Sequence, residues 1–206
     1  MCLSEAVYMY VIQSIEQDDP GLFWQHGCAP NFQGGVITLC TCKHWMRTFK
    51  PVEDWKGVWI AGFSGLTHTD QQSLVYLMRI GESFSDFRTL WQESELLSHK
   101  AKAAKTADKN SCGDLYEPVA ANKTNPLSPE AYNPPCESHV HYHSWEYDVD
   151  TSYYDKKNPS ALLIGDPEKS YIWQEPALES KRKFTQGQAT ENLSDFLDLL
   201  TPGKRQ

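Results

Sequence analysis

The sequence predicts an α+β fold, in which a curved, mostly antiparallel sheet accompanies one long helix and a long irregular loop. Segments rich in β-branched and aromatic residues recur along the chain and are typical of strands. One stretch between them carries apolar residues at helical spacing. Strands and helices do not alternate regularly, as they would in a doubly wound parallel sheet. These three observations favour the α+β class.

The first eighty residues are dominated by predicted strands, over residues 6–13, 36–42, 57–63 and 73–80. A turn at Asp18–Gly21 and a loop over residues 22–34 separate the first two strands. A short helix is predicted from Lys43 to about Phe49. Residues 64–70 are predicted to join the later two strands as a hairpin loop.

The one long helix is predicted from Ser83 or Ser85 to about Thr106. Its apolar side chains recur at roughly helical spacing, namely Phe84, Phe87, Leu90, Trp91 and Leu97. The stretch from Ser98 to Lys109 is rich in lysine and alanine, and it is expected to be a solvated helix end or a frayed loop.

Residues 108–138 contain five prolines and no sustained periodicity, which predicts the long irregular loop. Residues 139–147 alternate in character, as in a strand, and two late strands are predicted over residues 160–166 and 169–174.

The end of the chain is predicted to be an appendage. Gly187–Thr190 is expected to be a linker, and the leucines and phenylalanine of residues 193–200 predict a short amphipathic helix. We therefore expect one domain over residues 1–176 and an appendage over residues 177–206.

The charge and the apolar segments exclude several classes of protein. Lysine and arginine number 19 against 27 aspartates and glutamates, a net charge of −8. This excludes a generally basic nucleic-acid-coating protein but permits a local basic site. No segment approaches the ~20 apolar residues of a membrane helix, and the first residues lack the basic region of a signal peptide. A cytoplasmic protein with reduced cysteines and no membrane partner is expected.

The segment Cys40-Thr-Cys-Lys-His-Trp-Met-Arg47 runs from a predicted strand into a predicted helix. Lys43 and Arg47 are four residues apart, so they share a helix face and could hold a phosphate or a carboxylate. The alternative is that both pair with acidic residues of the chain. Composition alone favours this alternative.

The same segment raises two questions about its cysteines. A Cys-x-Cys pair is a poor zinc signal without a second pair, so buried, inert thiols are favoured. If Cys42 lies beside Lys43 at a helix start, however, its pKa would be depressed. That would make Cys42 a candidate nucleophile.

Three histidines alternate at His139, His141 and His143, and in a strand all three would face one side. Such a group can bind zinc or a non-haem metal, with a carboxylate from residue 137, 146 or 148. The alternative, an exposed strand face with ordinary histidines, is favoured, so no metal ligand is assigned. A metal-dependent hydrolase built on these histidines remains an open hypothesis.

Several motifs are absent from the sequence. It has no Gly-x-x-x-x-Gly-Lys phosphate loop, and no Gly-x-Gly-x-x-Gly follows the first strand. A His-x-Glu with a downstream Cys-x-x-Cys is also missing, which argues against a zinc deaminase.

Aromatic residues in loops near Lys43 and Arg47 would suit base stacking, and they would equally suit a packed core.

The sequence resembles the nucleotide modification associated domains of bacteria and phages, of the second or third type. The resemblance covers roughly residues 6–176. It rests on Gly-Cys-Ala-Pro-Asn-Phe at 27–32, Thr-Leu-Cys-Thr-Cys-Lys-His-Trp-Met-Arg at 38–47, Gly-Val-Trp-Ile-Ala-Gly at 57–62 and Gly-Asp-Leu-Tyr at 113–116. The order of the 57–63 and 73–80 strands is also similar to small PUA-like barrels that bind modified bases.

The resemblance implies that Asn31, Thr38, Cys42, Lys43 and Arg47 form one polar site, and it reverses the preference for simple ion pairs. In that site Asn31 would read a base edge with its amide, while Lys43 and Arg47 would hold phosphate.

Further residues would complete this site from the irregular loop and beyond it. Tyr116 would be a further substrate contact. Asp114 or His139 would serve as general acid or base, and an ordinary pKa near neutrality makes His139 the better candidate.

The leading hypothesis is therefore a protein that processes or modifies a nucleotide or a nucleic-acid base. The alternatives are a non-catalytic reader of a modified base or small nucleotide, and the metal-dependent hydrolase. The acidic net charge suits a small nucleotide better than a long duplex. A partner protein is a further candidate, and no cofactor is assigned.

Overall fold

The computed structural model describes residues 6–17, 21–27, 29–66, 71–107, 114–119, 125–135, 145–154, 156–183, 188–190 and 192–203. Its strands are β1 (Val7–Val11), β2 (Ile15–Gln17), β3 (Phe23–Gln25), β4 (Thr38–Leu39), β5 (Trp59–Leu66), β6 (Gln72–Phe84), β7 (Leu162–Ile172), β8 (Leu178–Ser180), β9 (Gln188–Thr190) and β10 (Leu200–Pro202). Its α-helices are α1 (His44–Arg47), α2 (Phe87–Glu93), α3 (His99–Thr106), α4 (Glu146–Val149) and α5 (Leu193–Asp198).

The fold is α+β with mostly antiparallel strand pairing, which confirms the predicted class. The chain divides into two compact units, residues 1–27, 57–79 and 169–206 in the first and residues 28–56 and 80–168 in the second. Strands β6 and β7 contribute residues to both units. Within the described residues, no helix combines the length and apolarity needed to cross a bilayer.

The first unit is built around β1, which pairs in parallel with β5 and antiparallel with β9. Strand β5 pairs antiparallel with β6, and two register shifts interrupt that ladder, as bulges do where strands bend. Strand β8 lies between β6 and β10. A Cβ at Gly62 would lie 2.2 Å from the Tyr76 ring, so the close contact of β5 with that ring requires glycine.

The second unit holds a core of apolar side chains around β7 and the residues that flank β4. Strand β4 pairs antiparallel with β7, with Thr38 opposite Ile164 and Leu39 opposite Leu163. The core side chains come from the residues flanking β4, from β7, from residues 87–101 and from residues 115–149, and they include Cys40, Phe87, Leu90, Leu97, Ala101, Leu115, Tyr116, Tyr132, Val149 and Leu162. Cys40, the residue after β4, is therefore anchored in a close-packed core.

The predicted long helix is two shorter helices, α2 and α3. Ser94 ends α2, and its hydroxyl donates to Glu82, whose carboxylate also accepts the backbone N–H of Glu95. The Ser98 side chain then caps α3 by accepting the backbone N–H of Ala101. Side-chain oxygens thus accept backbone N–H groups at the point where the apolar spacing predicted a continuous helix.

Other elements differ in length or type from the prediction. Residues 139–144 lie outside the described part, and residues 146–149 form α4 instead of continuing a strand. The two late strands are one continuous strand, β7, and the predicted linker at 187–190 contains β9. Strand β4 keeps only Thr38 and Leu39 of the predicted 36–42, because the backbone turns at Cys40.

Residues 178–202 supply β8, β9, β10 and α5 to the first unit. Phe196 of α5 is buried against Phe63, with ring centroids 6.3 Å apart. The boundary at residue 176 stays a prediction.

Candidate functional site

Asp114 holds the backbone at the end of β4. Its Oδ2 accepts from the Thr38 hydroxyl at 2.5 Å, and its Oδ1 accepts from the backbone N–H groups of Cys40 and Thr41 at 2.8 and 3.2 Å. Asp114 is only 1% exposed, so these donors replace water around the carboxylate. The start of the strand-to-helix junction, which we define as residues 40–47, is therefore fixed by one side chain.

Burial raises the pKa of Asp114 to about 6, although its three hydrogen bonds and the nearby Lys105 ammonium oppose the change. The carboxyl group consequently titrates close to neutrality. A buried group with such a displaced pKa is typical of functional sites and also of structural networks.

Lys105 of α3 holds the loop that precedes β4. Its ammonium donates to the backbone carbonyls of Asn31 and Val36 at 2.8 and 2.7 Å and to the Asn31 side-chain oxygen at 3.3 Å. Gly34 allows the loop to approach α3 closely. Its φ is +75°, and a Cβ there would lie 2.7 Å from the Cα of Ala101. Burial lowers the pKa of Lys105 to about 8, against the opposing effect of Asp114.

We expect the Lys105→Met variant to lose a part of the pH dependence of stability. The folded chain releases the Lys105 proton near pH 8, whereas the unfolded chain holds it to the ordinary value of 10.5. Between these values the unfolded state binds more protons, so this group stabilises the folded state increasingly as pH rises. From pH 7.5 to 9.5 the wild type should gain roughly 2 kcal/mol relative to Lys105→Met.

Urea unfolding of both proteins across this pH range measures that difference. The thiol of Cys40, whose pKa is raised by burial, titrates in the opposite sense in both proteins. Parallel stability curves for the two proteins would contradict the assignment. Lys100→Met, at an exposed position of the same helix, is the matched control.

Arg47 is the second buried cation of the region, and its side chain is 0% exposed. Its Nε donates to the carbonyl of Cys42 at 2.8 Å, and its Nη1 donates to the carbonyl of Ala161 at 2.6 Å. The third nitrogen, Nη2, lies 3.2 Å from Nδ1 of His44. The guanidinium therefore ties the end of the junction to the residue that precedes β7.

The contacts of His44 define its tautomer. Arg47 can only donate, so Nδ1 of His44 accepts and the ring proton resides on Nε2. Nε2 then donates to Oδ1 of Asp148 at 3.1 Å, and Oδ2 of Asp148 accepts from the Tyr116 hydroxyl at 3.2 Å. The network Arg47–His44–Asp148–Tyr116 locks α1 to α4.

Lys43 lies between these two networks, at the residue that precedes α1. Its φ of 59° and ψ of 38° place it in the left-handed region, and it is the only non-glycine residue with positive φ in the described part of the chain. Such strain costs on the order of 1 kcal/mol and concentrates at ligand-binding segments. Burial also lowers the pKa of the half-buried Lys43 ammonium, against the effect of neighbouring Cys42.

Cys42 keeps an exposed surface. Even so, the protein packed around its thiol, followed by the Asp114 carboxylate, raises its pKa to about 12. These surroundings favour the protonated thiol at neutral pH. The proposed role of Cys42 as a nucleophile stays a prediction.

The structure brings most of the predicted site residues into one region of the second unit. Asn31 and Thr38 exchange backbone hydrogen bonds at 3.0 Å, and Thr38 contacts Asp114. Cys42, Lys43 and Arg47 lie in the junction, and Tyr116 reaches it through Asp148 and His44. The roles predicted for these residues stay predictions.

The candidate base His139 lies outside the described residues, as do His141 and His143. In the part of the chain that the structure describes, no group of three or more His, Cys, Asp or Glu side chains is arranged to hold a metal ion. The metal-dependent hydrolase therefore stays a hypothesis from the sequence.

Sequence reasoning did not assign Lys105 or the pairing of His44 with Asp148. Lys105 continues a four-residue spacing from the buried Leu97 and Ala101, and this spacing was the available signal for its burial. Nothing comparable links His44 to Asp148, which are 104 residues apart in the chain.

Comparison with known proteins agrees with the motifs around the junction. The family described as nucleotide modification associated domain 2 matches residues 4–149, which includes Asn31, Asp114 and the whole junction. No curated protein and no solved structure matches the chain. Because the match covers more than half of the 206 residues, the chain belongs to the nucleotide modification associated domain 2 family.

Proposed function

We propose that the chain binds a nucleotide or a nucleic-acid base at the strand-to-helix junction and processes it there, with Lys43 as the phosphate contact. The observation that carries this proposal is the conformation of Lys43. Its left-handed backbone and half-buried ammonium follow directly on two fixed residues, because Asp114 accepts from the Thr41 N–H and Arg47 donates to the Cys42 carbonyl. The family name, which refers to nucleotide modification, supports the same class of ligand.

Arg47 and Asp114 have positioning roles in this proposal. Arg47 is fully buried and bonded at all three nitrogens, and Asp114 is bonded at both oxygens. A ligand phosphate would have to displace those bonds to reach either group. Lys43 is only half-buried, so a ligand can reach part of its side chain from solvent.

Asn31 is proposed to present its amide N–H groups to the base, because its Oδ1 already accepts from the Gln33 backbone and from Lys105. His139 remains the proposed acid–base group. A non-catalytic reader would use the same contacts. Changing His139 distinguishes the two, because an enzyme would lose turnover while a reader would keep its affinity.

The test is the binding of nucleotides to Lys43→Gly. Glycine removes the cation and relieves the left-handed strain, so the variant should be up to about 1 kcal/mol more stable than the wild type. It should nevertheless lose about tenfold or more in affinity for a nucleoside phosphate, since one charge-assisted contact disappears. Isothermal titration calorimetry of a nucleotide panel measures the affinity, and urea unfolding measures the stability.

The matched control is Lys100→Gly, at an exposed lysine in α3. This substitution removes the same charge, and its affinity should equal that of the wild type. If Lys43→Gly binds nucleotides as tightly as the control does, Lys43 is not the phosphate contact and the proposal fails.

A further inference from the structure

We infer that the bases recognised at this site are carried in a single nucleic-acid strand that stacks on an exposed aromatic surface beside the junction. We define the aromatic surface as Trp45, Phe49, Tyr147, Tyr153 and Tyr154. The inference rests on the proposed function, because it names the substrate class of the same site.

The aromatic surface is unusual in its exposure. Trp45 is 58% exposed, Phe49 and Tyr153 are each 42% exposed, and Tyr147 and Tyr154 are 41% and 37% exposed. All five belong to the second unit, although that unit has a well-packed core in which aromatic side chains are readily buried. Adjacent exposed aromatics of this kind mark interaction surfaces more often than isolated ones do.

The rings of the aromatic surface lead directly to the junction. Tyr147 and Tyr153 have centroids 4.6 Å apart, and Tyr153 and Tyr154 have centroids 5.2 Å apart. Tyr154 then lies 5.2 Å from the His44 ring, and His44 follows Lys43 in the chain. The ring planes of the two tyrosine pairs meet at 66° and 86°, so bases would contact the exposed rings one at a time, and the row ends at the residue after Lys43.

Trp45 and Phe49 form a second pair of exposed rings, with centroids 6.4 Å apart. The Lys156 ammonium lies 4.2 Å from the centroid of the Trp45 ring. The ammonium covers one face of this ring, so a base would stack on the other face while the ammonium contacts the adjoining phosphate.

A single strand suits this surface better than a duplex does. The faces of paired bases are stacked against one another in a duplex, whereas an unpaired strand offers every base to an aromatic ring. The net charge of −8 also opposes the approach of a long duplex. A surface of tyrosine hydroxyls with a lysine over its tryptophan ring is more polar than the centre of a typical protein–protein interface, which is depleted in lysine.

The test is fluorescence anisotropy with oligothymidylates from a mononucleotide up to about eight nucleotides, the range that aromatic single-strand binding sites span. Affinity should rise with length, and the single strand should bind more tightly than its duplex. Trp45→Ala should weaken binding of the longest oligonucleotide about tenfold, as loss of one stacking ring does, while Trp45→Phe keeps most of the affinity.

Trp24→Ala is the matched control, because Trp24 is 55% exposed but belongs to the first unit. Equal affinities for Trp45→Ala and Trp24→Ala would overturn the inference, and so would tighter binding of the duplex. Tyr153→Ala, at a second exposed ring of the surface, repeats the test independently.

The same measurements separate the two proposals. If mononucleotides bind in a Lys43-dependent manner but affinity does not rise with length, the proposed function stands and this inference fails. If oligonucleotides bind in a Trp45-dependent manner and Lys43→Gly has no effect, single-strand binding stands and Lys43 is not the phosphate contact.

Discussion

The Arg47→Ala variant should be destabilised by about 3–5 kcal/mol, the largest effect we expect from one substitution in the second unit. Alanine removes a fully buried side chain and leaves the carbonyls of Cys42 and Ala161 without their donor. His44 also loses the donor that fixes its tautomer. The melting temperature should fall by roughly 10 °C, since a chain of this size loses about 2–4 °C for each kcal/mol.

Arg47→Lys distinguishes a structural role from a phosphate-binding role. Lysine keeps the charge, but a single ammonium cannot replace three nitrogens that point to three acceptors in different directions. We therefore expect Arg47→Lys to lose most of the same stability. Urea unfolding at pH 7 measures both variants, with the exposed Lys157→Ala as a control. Wild-type stability of Arg47→Lys, combined with weaker nucleotide binding, would instead assign Arg47 to the phosphate.

Asp114→Ala should cost about 3 kcal/mol of unfolding free energy at pH 7. The substitution leaves the backbone N–H groups of Cys40 and Thr41 and the hydroxyl of Thr38 without their acceptor in a buried region. The raised pKa of Asp114 shows that its buried charge is itself unfavourable. Removing that charge offsets part of the cost. Asp114→Asn should stay within about 1 kcal/mol of the wild type, because its oxygen still accepts both N–H groups and its amide can donate to Thr38.

The pH dependence of Asp114→Asn provides a second test of the same contacts. The folded chain holds the Asp114 proton up to about pH 6, and the unfolded chain loses it near the ordinary value of 3.8. This group therefore stabilises the folded state fully below pH 3.8, and that stabilisation is lost as pH rises through 6. From pH 7 down to pH 4, the wild type should gain about 2 kcal/mol relative to Asp114→Asn. No gain would mean that the carboxyl group does not titrate in this range.

The sequence predicted the elements whose signals are local. The β-branched and aromatic residues of β1, β5 and β6 specify strands almost independently of their neighbours, and each is found close to its predicted position. The long helix was predicted as one element because apolar spacing does not show that Glu82 accepts hydrogen bonds from the Ser94 hydroxyl and the Glu95 N–H, where α2 ends. Those bonds depend on where β6 lies relative to α2 in the folded chain, and the periodicity of the sequence carries no information on that position.

The candidate site was predicted as a list of residues, and the structure adds which of them contact one another. Lys43 and Arg47, four residues apart in the chain, were expected to share a helix face and a ligand. They differ because Lys43 lies before α1 in a left-handed conformation, while Arg47 is turned into the core. Lys105 lies in a lysine-rich segment that was expected to be solvated, and its bonds to the carbonyls of Asn31 and Val36 accompany its burial.

The Arg47–Ala161 hydrogen bond has a consequence for how the protein is made. The two residues are 114 positions apart, and the strand that pairs with β4 begins at Leu162. At roughly 5–20 residues per second, a ribosome needs about 6 to 23 seconds to add that span. All of the family-matched residues 4–149 are synthesised before Ala161 is. The nascent junction therefore passes through a period in which the Arg47 guanidinium lacks its Ala161 acceptor, and the site is completed only after the family region has been translated in full.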